Sequence, residues 1–373
     1  MNKTFVSELK PNQELVSTFV VTEKQLRTSR TGSSFVTLRL MDRTGEVVGR
    51  IWENAQTLEG TIPVGEAVSV KARCETYRGE IQLNIQEVAL LDRRHVDPAD
   101  FLPVSPADPA ALLLQLKRTV SSLRTGPLKG LMQAILDDRP LMERFRRAPA
   151  AKSMHHAYLG GLLEHTVSVA TLASLAAKHY PALDRDLLVV GALLHDIGKV
   201  DELKWDLAID YTDSGRLLGH MVLGLQIVEE KVRSVSGFPA ELSLVLKHLI
   251  LSHHGEHEFG AVKQPMTREA FVLHFIDDLD AKMNTLSRLL DQSGDPEKVW
   301  TAYQPALQRF IYRGPAPMTE PSPPEDGADE AGVQQLTLWN AGNTPKPAMS
   351  GAGRTSAPPG SNSKPEESAE SLG

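Results

Sequence analysis

Two different patterns of apolar residues divide this chain of 373 residues. Up to about residue 92, short segments rich in β-branched residues alternate apolar and polar positions, and glycine or proline marks the turns between them. From Pro109 to about Phe310, the apolar residues recur at helical spacing instead. A single small domain is therefore excluded. We expect a multidomain chain in which a small all-β unit precedes an all-α unit.

The all-β part contains five predicted strands. Five short strands in about 90 residues fit a closed barrel better than an open sheet, because closure removes exposed strand edges. We expect residues 1–92 to form this barrel, with one short helix near Asn54 to Leu58. The predicted strands are Glu14 to Thr22, Ser34 to Asp42, Glu46 to Trp52, Ala67 to Thr76 and Glu80 to Leu90.

Proline divides the rest of the chain. A Pro-rich linker is predicted over residues 93–108, and an all-α domain of about seven to ten helices over residues 109–313. Residues 314–373 hold ten of the 24 prolines and too few apolar residues to build a core, so this tail is predicted to be disordered. One apolar island, residues 334–339, interrupts the tail.

Composition excludes several classes of protein. The net charge of −7 argues against binding nucleic acid by bulk positive charge, so any nucleic-acid site must be a local patch. Cys74 is the only cysteine, which excludes a disulfide framework and paired-cysteine zinc fingers. The N-terminal residues lack a signal-peptide pattern, and the longest apolar run, residues 187–194, is too short to cross a bilayer. We therefore expect a cytoplasmic protein with no membrane partner.

Histidine is concentrated in the predicted helical domain. Eleven of the twelve histidines lie between His155 and His274, and clustered histidine without cysteine indicates a metal site with nitrogen and oxygen ligands. His195 and Asp196 end an apolar run that predicts a buried helix, where two ionisable groups are costly unless a bound cation compensates them. Seven candidate ligands suit two cations about 3.5–4 Å apart, bridged by a carboxylate, for which Asp196 is the natural choice. The candidates are His165, His195, Asp196, His220, His253, His254 and Asp277.

The order of these residues resembles the HD-domain metal phosphohydrolases. His165, His195-Asp196 and Asp277 match the core pattern, and His220 with His253-His254 matches the dinuclear branch, which includes cyclic-nucleotide phosphodiesterases. Lys199 resembles the lysine that orients phosphate in that branch. A glutamate found in some members is Gly161 here, so no third cation is expected, and Asp278 and Asp280 are expected to support the ligands or to face solvent. The resemblance implies one cation on His165, His195, Asp196 and Asp277, and a second on Asp196, His220, His253 and His254.

The N-terminal barrel resembles nucleic-acid-binding OB-folds, most clearly over residues 32–45. Such folds bind single strands by stacking bases on aromatic rings and by contacting phosphates with Lys and Arg. Alternation along the second strand predicts that Arg39 faces away from Val36 and Leu38, whereas each aromatic residue could equally pack in the core. The candidate strand-binding residues are Phe35, Arg39, Arg50, Trp52, Lys71, Arg73 and Tyr77.

An OB-fold followed by a dinuclear HD domain resembles the arrangement of the YhaM-type 3′→5′ exoribonucleases. Residues 149–166, 252–260 and 276–282 also resemble that family, and the resemblance covers about residues 1–312. It implies a metal-dependent exonuclease that hydrolyses single-stranded RNA, or also DNA, to nucleoside 5′-monophosphates with water activated by two cations. Manganese is the implied metal, although the ligand types also permit iron, cobalt or magnesium. Asp196 and Lys199 are the implied catalytic residues, and the candidate substrate contacts are Lys152, His155, His156 and Lys282.

Two other functions stay open from the sequence. A phosphodiesterase or phosphohydrolase acting on a (cyclic) nucleotide would use the same ligands but would not need an OB-fold. A nucleic-acid-binding adaptor with a structural metal would not need Lys199.

The tail motif suggests a protein partner. Gln335, Leu336, Leu338 and Trp339 lie in residues 335–339, which resemble the pentapeptide that docks bacterial proteins on the DNA sliding clamp. An isolated apolar motif in a disordered tail often marks a partner site, and the alternative is a segment that packs on the protein itself. The sequence also leaves a homo-oligomer open.

Overall fold

The computed structural model describes residues 3–29, 32–291, 299–305 and 307–314. The tail that is predicted to be disordered, and its motif over residues 334–339, lie outside the described residues. Both therefore stay predictions.

The N-terminal part forms a closed five-stranded barrel, which confirms the predicted fold class of this region. Its elements are β1 (Glu14–Thr28), β2 (Ser34–Asp42), β3 (Gly45–Ile51), α1 (Ala55–Thr61), β4 (Ala67–Tyr77) and β5 (Glu80–Leu90). Around the barrel the strands follow the order β1-β2-β3-β5-β4. All neighbouring strands are antiparallel except β3 and β5, which are parallel.

Alternation along the strands builds the barrel core. In β2, Val36, Leu38 and Leu40 are fully buried, whereas Arg39 is exposed on the opposite face, as predicted. Phe19 of β1 is buried among the same apolar residues. This arrangement leaves the outward positions of β2 and β3 free to carry polar and aromatic side chains.

Strand β1 is longer than the sequence predicts. It ends at Thr28 rather than at Thr22, because an irregularity between Val21 and Glu23 is followed by further pairing with β2. The added residues are largely exposed, so they lack the apolar alternation that marks a strand in the sequence.

The second part of the chain is helical, as predicted. Nine α-helices follow the barrel in the part of the chain that the structure describes: α2 (Pro109–Ser121), α3 (Gly126–Leu136), α4 (Arg139–Arg147), α5 (Gly161–His179), α6 (Arg185–Leu194), α7 (Lys199–Glu202), α8 (Asp213–Ser234), α9 (Ala240–Ser252) and α10 (Arg268–Asp291). Their apolar faces meet in one large core, in which α6 is buried along nearly its whole length. The core therefore fixes the residues that directly follow α6.

Two short paired segments of the helical part were not predicted. β6 (Leu203–Trp205) pairs with β7 (Ile209–Tyr211) between α7 and α8. After α10, residues 299–305 and 307–313 fold back on each other, with bridges between Trp300 and Tyr312 and between Gln304 and Arg309. We call this second segment the C-terminal hairpin. Segments of about three paired residues are too short to show a period in the sequence.

The barrel contacts the helical part through the predicted linker. Val20 and Ala67 of the barrel, Phe101 of the linker and Leu207 beside β6 form a small buried cluster. Backbone hydrogen bonds then join residues 103 and 105 to Leu159, just before α5. The linker is therefore packed against both parts.

No helix in the described ranges is both long and apolar enough to cross a bilayer.

Candidate metal centre and nucleic-acid interface

Helix α5 places His165 inside the helical core. The residue before the helix, Gly160, has a positive φ of 79°, and Gly161 begins the helix. A side chain at position 161 would overlap the carbonyl group of His156, so this position excludes the glutamate that some HD domains carry. His165 lies one turn further along and is fully buried.

The end of α6 places His195 and Asp196 beside α8. Both residues are buried, as expected from the apolar run before them. Gly198 has ordinary right-handed helical backbone angles, so it is required for packing and not for a turn. A side chain there would overlap the carbonyl group of His220 and the backbone of Gly224 in α8. This close approach brings His220 to Asp196.

Helix α8 changes direction immediately before His220. Gly219 has a φ of 75° and a ψ of 160°, which interrupts the helical backbone at that residue. Glu202 of α7 then accepts hydrogen bonds from the backbone N–H of His220 at 3.0 Å and from its ring Nδ1 at 3.1 Å. The kink and the carboxylate together fix the orientation of the imidazole.

Helices α9 and α10 supply the remaining candidate ligands. His253 and His254 directly follow α9, and Asp277 lies within α10. His274, one turn before Asp277, donates a hydrogen bond from Nδ1 to the backbone carbonyl of His253 at 2.9 Å. This contact ties the end of α9 to α10.

The five candidate histidine ligands share one hydrogen-bonding pattern. In each ring, Nδ1 contacts an acceptor oxygen, so Nε2 is the atom that is placed to bind a cation. The acceptors are Asp280 Oδ2 for His165 at 2.7 Å, the Ala192 carbonyl for His195 at 2.8 Å, Glu202 Oε1 for His220 at 3.1 Å, the Ile250 carbonyl for His253 at 2.7 Å and the Phe259 carbonyl for His254 at 2.9 Å.

One carboxylate oxygen of Asp196 faces the first group of ligands. Asp196 Oδ2 lies 3.3 Å from His195 Nε2 and 3.5 Å from His165 Nε2. Asp277 Oδ1 lies 3.1 Å from His165 Nε2 and 3.6 Å from His195 Nε2. His165, His195 and Asp277 therefore offer ligand atoms to one point.

The other oxygen of Asp196 faces the second group. Asp196 Oδ1 lies 3.5 Å from His220 Nε2 and 3.6 Å from His253 Nε2, and His254 offers a ligand atom to the same point. The first three of these atoms are buried and have no hydrogen-bond partner. Buried polar atoms without partners are rare and costly, so their convergence fits a bound cation. The residues present therefore fit two cations bridged by Asp196.

The carboxylates of the centre are held in the ionised form. Burial acts to raise the pKa of Asp196, but Lys199 and His195 hold it well below its usual range. Hydrogen bonds from His165 and His195 likewise lower the pKa of Asp277 against the effect of burial. Both side chains can therefore accept a cation without first losing a proton.

The imidazoles of the centre fall into two electrostatic classes. Burial lowers the pKa of His254 to about 3 and also lowers that of His253, so both rings are neutral. At His195 burial acts in the same direction, but Asp196 and Asp277 outweigh it and raise the pKa to about 10. The ring of His195 must therefore give up a proton when it binds a cation.

A cavity of about 790 Å³ adjoins the metal centre. Lys199 and Asp277 line it, together with His155 and Lys282 and part of the C-terminal hairpin. Lys199 Nζ lies 2.5 Å from Asp196 Oδ2, so its ammonium group joins the Asp196 carboxylate to the lining of the cavity.

A second concave surface lies on the outer face of the barrel. It is a groove of about 490 Å³ lined by side chains from the outer face of the barrel, including Phe35, Arg39, Arg50, Trp52 and Tyr77. The rings of Phe35 and Trp52 are stacked with centroids 4.6 Å apart. The guanidinium of Arg50 lies 5.1 Å from the Tyr77 ring centroid and 5.9 Å from that of Phe35. The groove therefore combines exposed aromatic faces with positive charge, as a single-strand site requires.

Two of the predicted strand-binding residues do not line this groove. Lys71 pairs with Glu87 at 2.7 Å on the outer face of β4, and Arg73 lies on the same face two residues along. Arg39 does line the groove, where it forms ion pairs with Glu23 and Glu46.

Comparison with known proteins assigns the chain to a family. A family model of the HD domain matches residues 162–282, and one described as an OB-fold nucleic acid binding domain matches residues 20–91. The 3′-5′ exoribonuclease YhaM of Bacillus subtilis is 35% identical over 262 residues, which cover 70% of this chain and 82% of that protein. YhaM of Halalkalibacterium halodurans is 33% identical over 283 residues, 75% of this chain and 87% of that protein. This chain belongs to the YhaM family.

Membership of the YhaM family confirms the resemblance seen in the sequence and the order of its two domains. Among solved structures, the second OB-fold domain of replication protein A from Methanococcus maripaludis aligns with 24% of this chain and 96% of that domain. Its identity is 19% and its TM-score 0.21, a likeness too weak to carry an argument. The C-terminal hairpin lies outside both regions that the family models match.

Two carboxylates support the candidate metal centre without facing it directly. Asp280, which the sequence marked as a supporting or solvated residue, contacts His165, His156 and Ser168 and is a supporting residue. Glu202 was not singled out in the sequence, because acidic residues are common in the first turn of any helix, where they interact favourably with the helix dipole. Asp278, by contrast, forms an exposed pair with Lys282 at 2.6 Å.

Two of the four expected substrate contacts lie away from the cavity. His156 is only 3% exposed, and its ring contacts Asp280 at 3.0 Å and the hydroxyl of Tyr158 at 2.9 Å. It supports the metal centre from within the core and is not among the cavity-lining residues. Lys152 pairs with Asp210 of β7 at 2.8 Å.

Proposed function

We propose that this chain is a metal-dependent exonuclease that shortens single-stranded RNA from its 3′ end, releases nucleoside 5′-monophosphates and uses two divalent cations in the HD domain. Family membership supports the reaction class, since the relatives are named as 3′-5′ exoribonucleases. One observation carries the dinuclear site. Three buried atoms without hydrogen-bond partners, Asp196 Oδ1, His220 Nε2 and His253 Nε2, converge beside a second set of ligands around Asp196 Oδ2.

In this proposal Asp196 would contribute to holding both cations. His165, His195 and Asp277 would hold the first, and His220, His253 and His254 would hold the second. When bound, two divalent cations lower the pKa of water until it is nucleophilic near neutral pH and neutralise charge on the phosphate. A mixed set of imidazoles and carboxylates favours a transition metal, and we propose Mn²⁺ before Fe²⁺, Co²⁺ or Mg²⁺.

Lys199 supplies a fixed positive charge at the cavity wall. Burial acts to lower its pKa, but Asp196 more than offsets this and raises the pKa above its ordinary value. The ammonium group therefore stays protonated where the phosphate of a substrate would lie, and it would stabilise negative charge that develops there. His155 and Lys282 line the same cavity and are the remaining candidate substrate contacts.

The barrel groove supports a strand as substrate in preference to a small nucleotide. The stacked pair of Phe35 and Trp52 beside Arg50 offers ring faces and charge to unpaired bases and to the backbone. A small nucleotide that fits in the cavity would not need to contact this groove. We therefore propose that the groove holds the strand while its 3′ end occupies the cavity.

The decisive experiment uses end-labelled single-stranded RNA with a free 3′ hydroxyl. Incubation with Mn²⁺ should give a ladder that shortens from the 3′ end, and a chelator should abolish it. His195→Ala and Asp196→Ala should reduce shortening to background. Circular dichroism should show that both variants keep the fold of the parent. A parallel single-stranded DNA substrate would establish whether DNA is also degraded.

The same experiment separates the competing functions. Hydrolysis of a cyclic dinucleotide without shortening of RNA would favour a cyclic-nucleotide phosphodiesterase. Binding of RNA without hydrolysis of either substrate would favour an adaptor with a structural metal. Either result would overturn the proposed reaction.

Location and partners follow from the proposed substrate. RNA as substrate and a single buried thiol at Cys74 support a cytoplasmic location. Docking on the DNA sliding clamp through residues 335–339 stays a prediction. A binding assay between the full chain and the clamp would test it, and Leu338→Ala, which alters the motif, should then lose binding. The oligomeric state, which the sequence leaves open, is determined by the mass of the full chain in solution.

A further inference from the structure

The C-terminal hairpin is a defined element beside the metal centre. The Thr301 N–H donates to the Ile311 carbonyl at 2.9 Å, the Gln304 N–H donates to the Arg309 carbonyl at 2.9 Å, and the Arg313 N–H donates to the Val299 carbonyl at 2.8 Å. The buried hydroxyl of Thr301 also accepts a hydrogen bond from the Ile311 N–H at 3.1 Å. These bonds hold the two arms of the hairpin in one register.

One face of the hairpin forms a wall of the catalytic cavity. Leu307, Arg309 and Ile311 line the cavity together with Lys199 and Lys282. Because successive side chains of an extended segment point to opposite sides, Phe310 and Tyr312 must face away from the cavity wall. The hairpin therefore presents two different faces.

The outward face of the hairpin carries four exposed aromatic side chains. Trp300 and Tyr312 lie across the hairpin from each other with ring centroids 5.0 Å apart, and the rings of Tyr303 and Phe310 are 5.3 Å apart. Each of the four side chains is at least 50% exposed. Large aromatic residues are seldom exposed in a cluster unless the surface binds something. We call these four residues the aromatic face.

The chemistry of the hairpin fits a single-stranded nucleic acid. Along residues 309–313 the order is Arg-Phe-Ile-Tyr-Arg, so an arginine stands at each end of a segment that contains two aromatic residues. Aromatic rings accept bases by stacking with little regard to sequence, and an exposed guanidinium pairs with the phosphate backbone. The hairpin that carries this face also forms a wall of the cavity in which the 3′ end is proposed to lie, so a strand that leaves the cavity past Arg309 would meet the hairpin.

We propose that the aromatic face binds the nucleotides that precede the 3′ end of the strand, by stacking their bases while Arg309 contacts the backbone. The inference rests on the proposed exonuclease function and assigns this step to a region that neither family model covers. The strand would be held at two places, the groove of the barrel and the hairpin. Binding at the hairpin acts on the nucleotides nearest the scissile bond.

The test compares a double variant, Tyr303→Ala with Phe310→Ala, with a matched control. Tyr180→Ala removes another exposed aromatic residue. Tyr180 directly follows the C-terminal end of α5, whereas His165 lies near the N-terminal end of that helix. Binding of labelled single-stranded RNA to the full chain is measured by fluorescence anisotropy in chelator, so that it does not depend on hydrolysis. The double variant should bind on the order of 10-fold more weakly or worse, and Tyr180→Ala should bind as the parent does.

Kinetics with Mn²⁺ give a second readout. The double variant should raise KM for a long strand much more than for a dinucleotide, while kcat changes little for either. Unchanged binding and KM would overturn the proposal, and so would an equal loss for both substrate lengths. A change in the solution mass of the double variant would also overturn it, by showing that the face joins two copies of the chain. If the parent binds RNA but does not shorten it, the proposed exonuclease fails while the anisotropy result still decides the role of the hairpin.

Discussion

Asp280 shows at the scale of one residue how the metal centre is supported. Its carboxylate accepts hydrogen bonds from His165 Nδ1 and from Ser168, and thereby aims His165 Nε2 at Asp196 and Asp277. Removing such a supporting group weakens metal binding by about 10- to 100-fold. We predict a loss of this size for the affinity of Mn²⁺ in Asp280→Ala, measured by titration calorimetry.

A matched control lies two residues away. Asp278→Ala removes an exposed carboxylate of the same helix, which pairs with Lys282, and it should leave Mn²⁺ affinity near the parent value. Glu202→Ala removes the support of His220 instead. It should therefore weaken binding of the second cation, which His220, His253 and His254 are proposed to hold. Equal effects of Asp278→Ala and Asp280→Ala would contradict the supporting role.

Protonation of His195 predicts how metal binding depends on pH. Burial favours the neutral ring, but Asp196 and Asp277 outweigh it and raise the pKa of His195 to about 10. At pH values below this the ring carries a proton that a cation must displace, so affinity for Mn²⁺ should increase as pH rises towards the pKa. Calorimetry near neutral pH, in buffers of different ionisation enthalpy, should detect the release of protons when Mn²⁺ binds. Binding with no proton release would contradict the protonated state.

The sequence indicates the candidate ligands of the centre more directly than the residues that support them. Histidine and aspartate in apolar surroundings indicate a cation directly, because their burial is costly without one. Their supports are backbone carbonyls, such as that of Ala192, and carboxylates whose partners are distant in the sequence, such as Glu202. His156 illustrates this limit, because it is a predicted substrate contact that instead supports the centre through Asp280. A sequence does not distinguish a histidine that faces a cavity from one that lies behind it.

At the scale of elements, the contact between α7 and α8 determines where the second group of ligands lies. Gly198 packs so closely on the backbone of His220 and Gly224 that no side chain fits. We predict that Gly198→Ala lowers the free energy of unfolding by about 1–3 kcal/mol, because α8 must shift to admit the methyl group. Urea unfolding measures the loss, and Mn²⁺ titration should show weaker binding because His220 moves with α8.

Gly130 in α3 provides the control for this substitution. The nearest atom to an added methyl group there is Val235 Cγ1 at an ordinary distance of 3.4 Å. Gly130→Ala should therefore be neutral, or stabilising by up to about 1 kcal/mol, since alanine is the better helix former. A stable Gly198→Ala with normal metal affinity would show that the close contact is not required.

Elements with a clear period were predictable, and those without one were not. Strand β2 is marked by alternation of apolar and polar residues, and helix α6 by a continuous apolar run. The second half of β1 is exposed and lacks alternation, and the C-terminal hairpin is held by a few backbone bonds around Thr301. Only the concentration of aromatic and apolar residues between Arg309 and Arg313 could have indicated the hairpin, and that pattern also suits an irregular loop.

At the scale of the whole molecule, the proposed activity depends on two surfaces that share no residue. The barrel groove and the catalytic cavity are lined by separate sets of side chains, so strand binding and metal chemistry can be disturbed independently. Phe35 and Trp52 stack on each other in the groove and are the rings best placed to receive bases. Loss of base stacking costs about 1–3 kcal/mol per base, which is about 5- to 150-fold in affinity.

We therefore predict that Phe35→Ala with Trp52→Ala weakens binding of long single-stranded RNA at least about 10-fold while Mn²⁺ affinity stays unchanged. Fluorescence anisotropy measures the binding of RNA, and calorimetry measures the affinity for Mn²⁺. Val16→Ala, which trims an exposed barrel residue outside the groove, should change neither. Because no groove residue lines the cavity, the loss should vanish for strands too short to reach from one surface to the other. Equal loss for a dinucleotide and a long strand, or a parallel loss of metal, would mean that the barrel supports the catalytic fold itself and does not hold the strand.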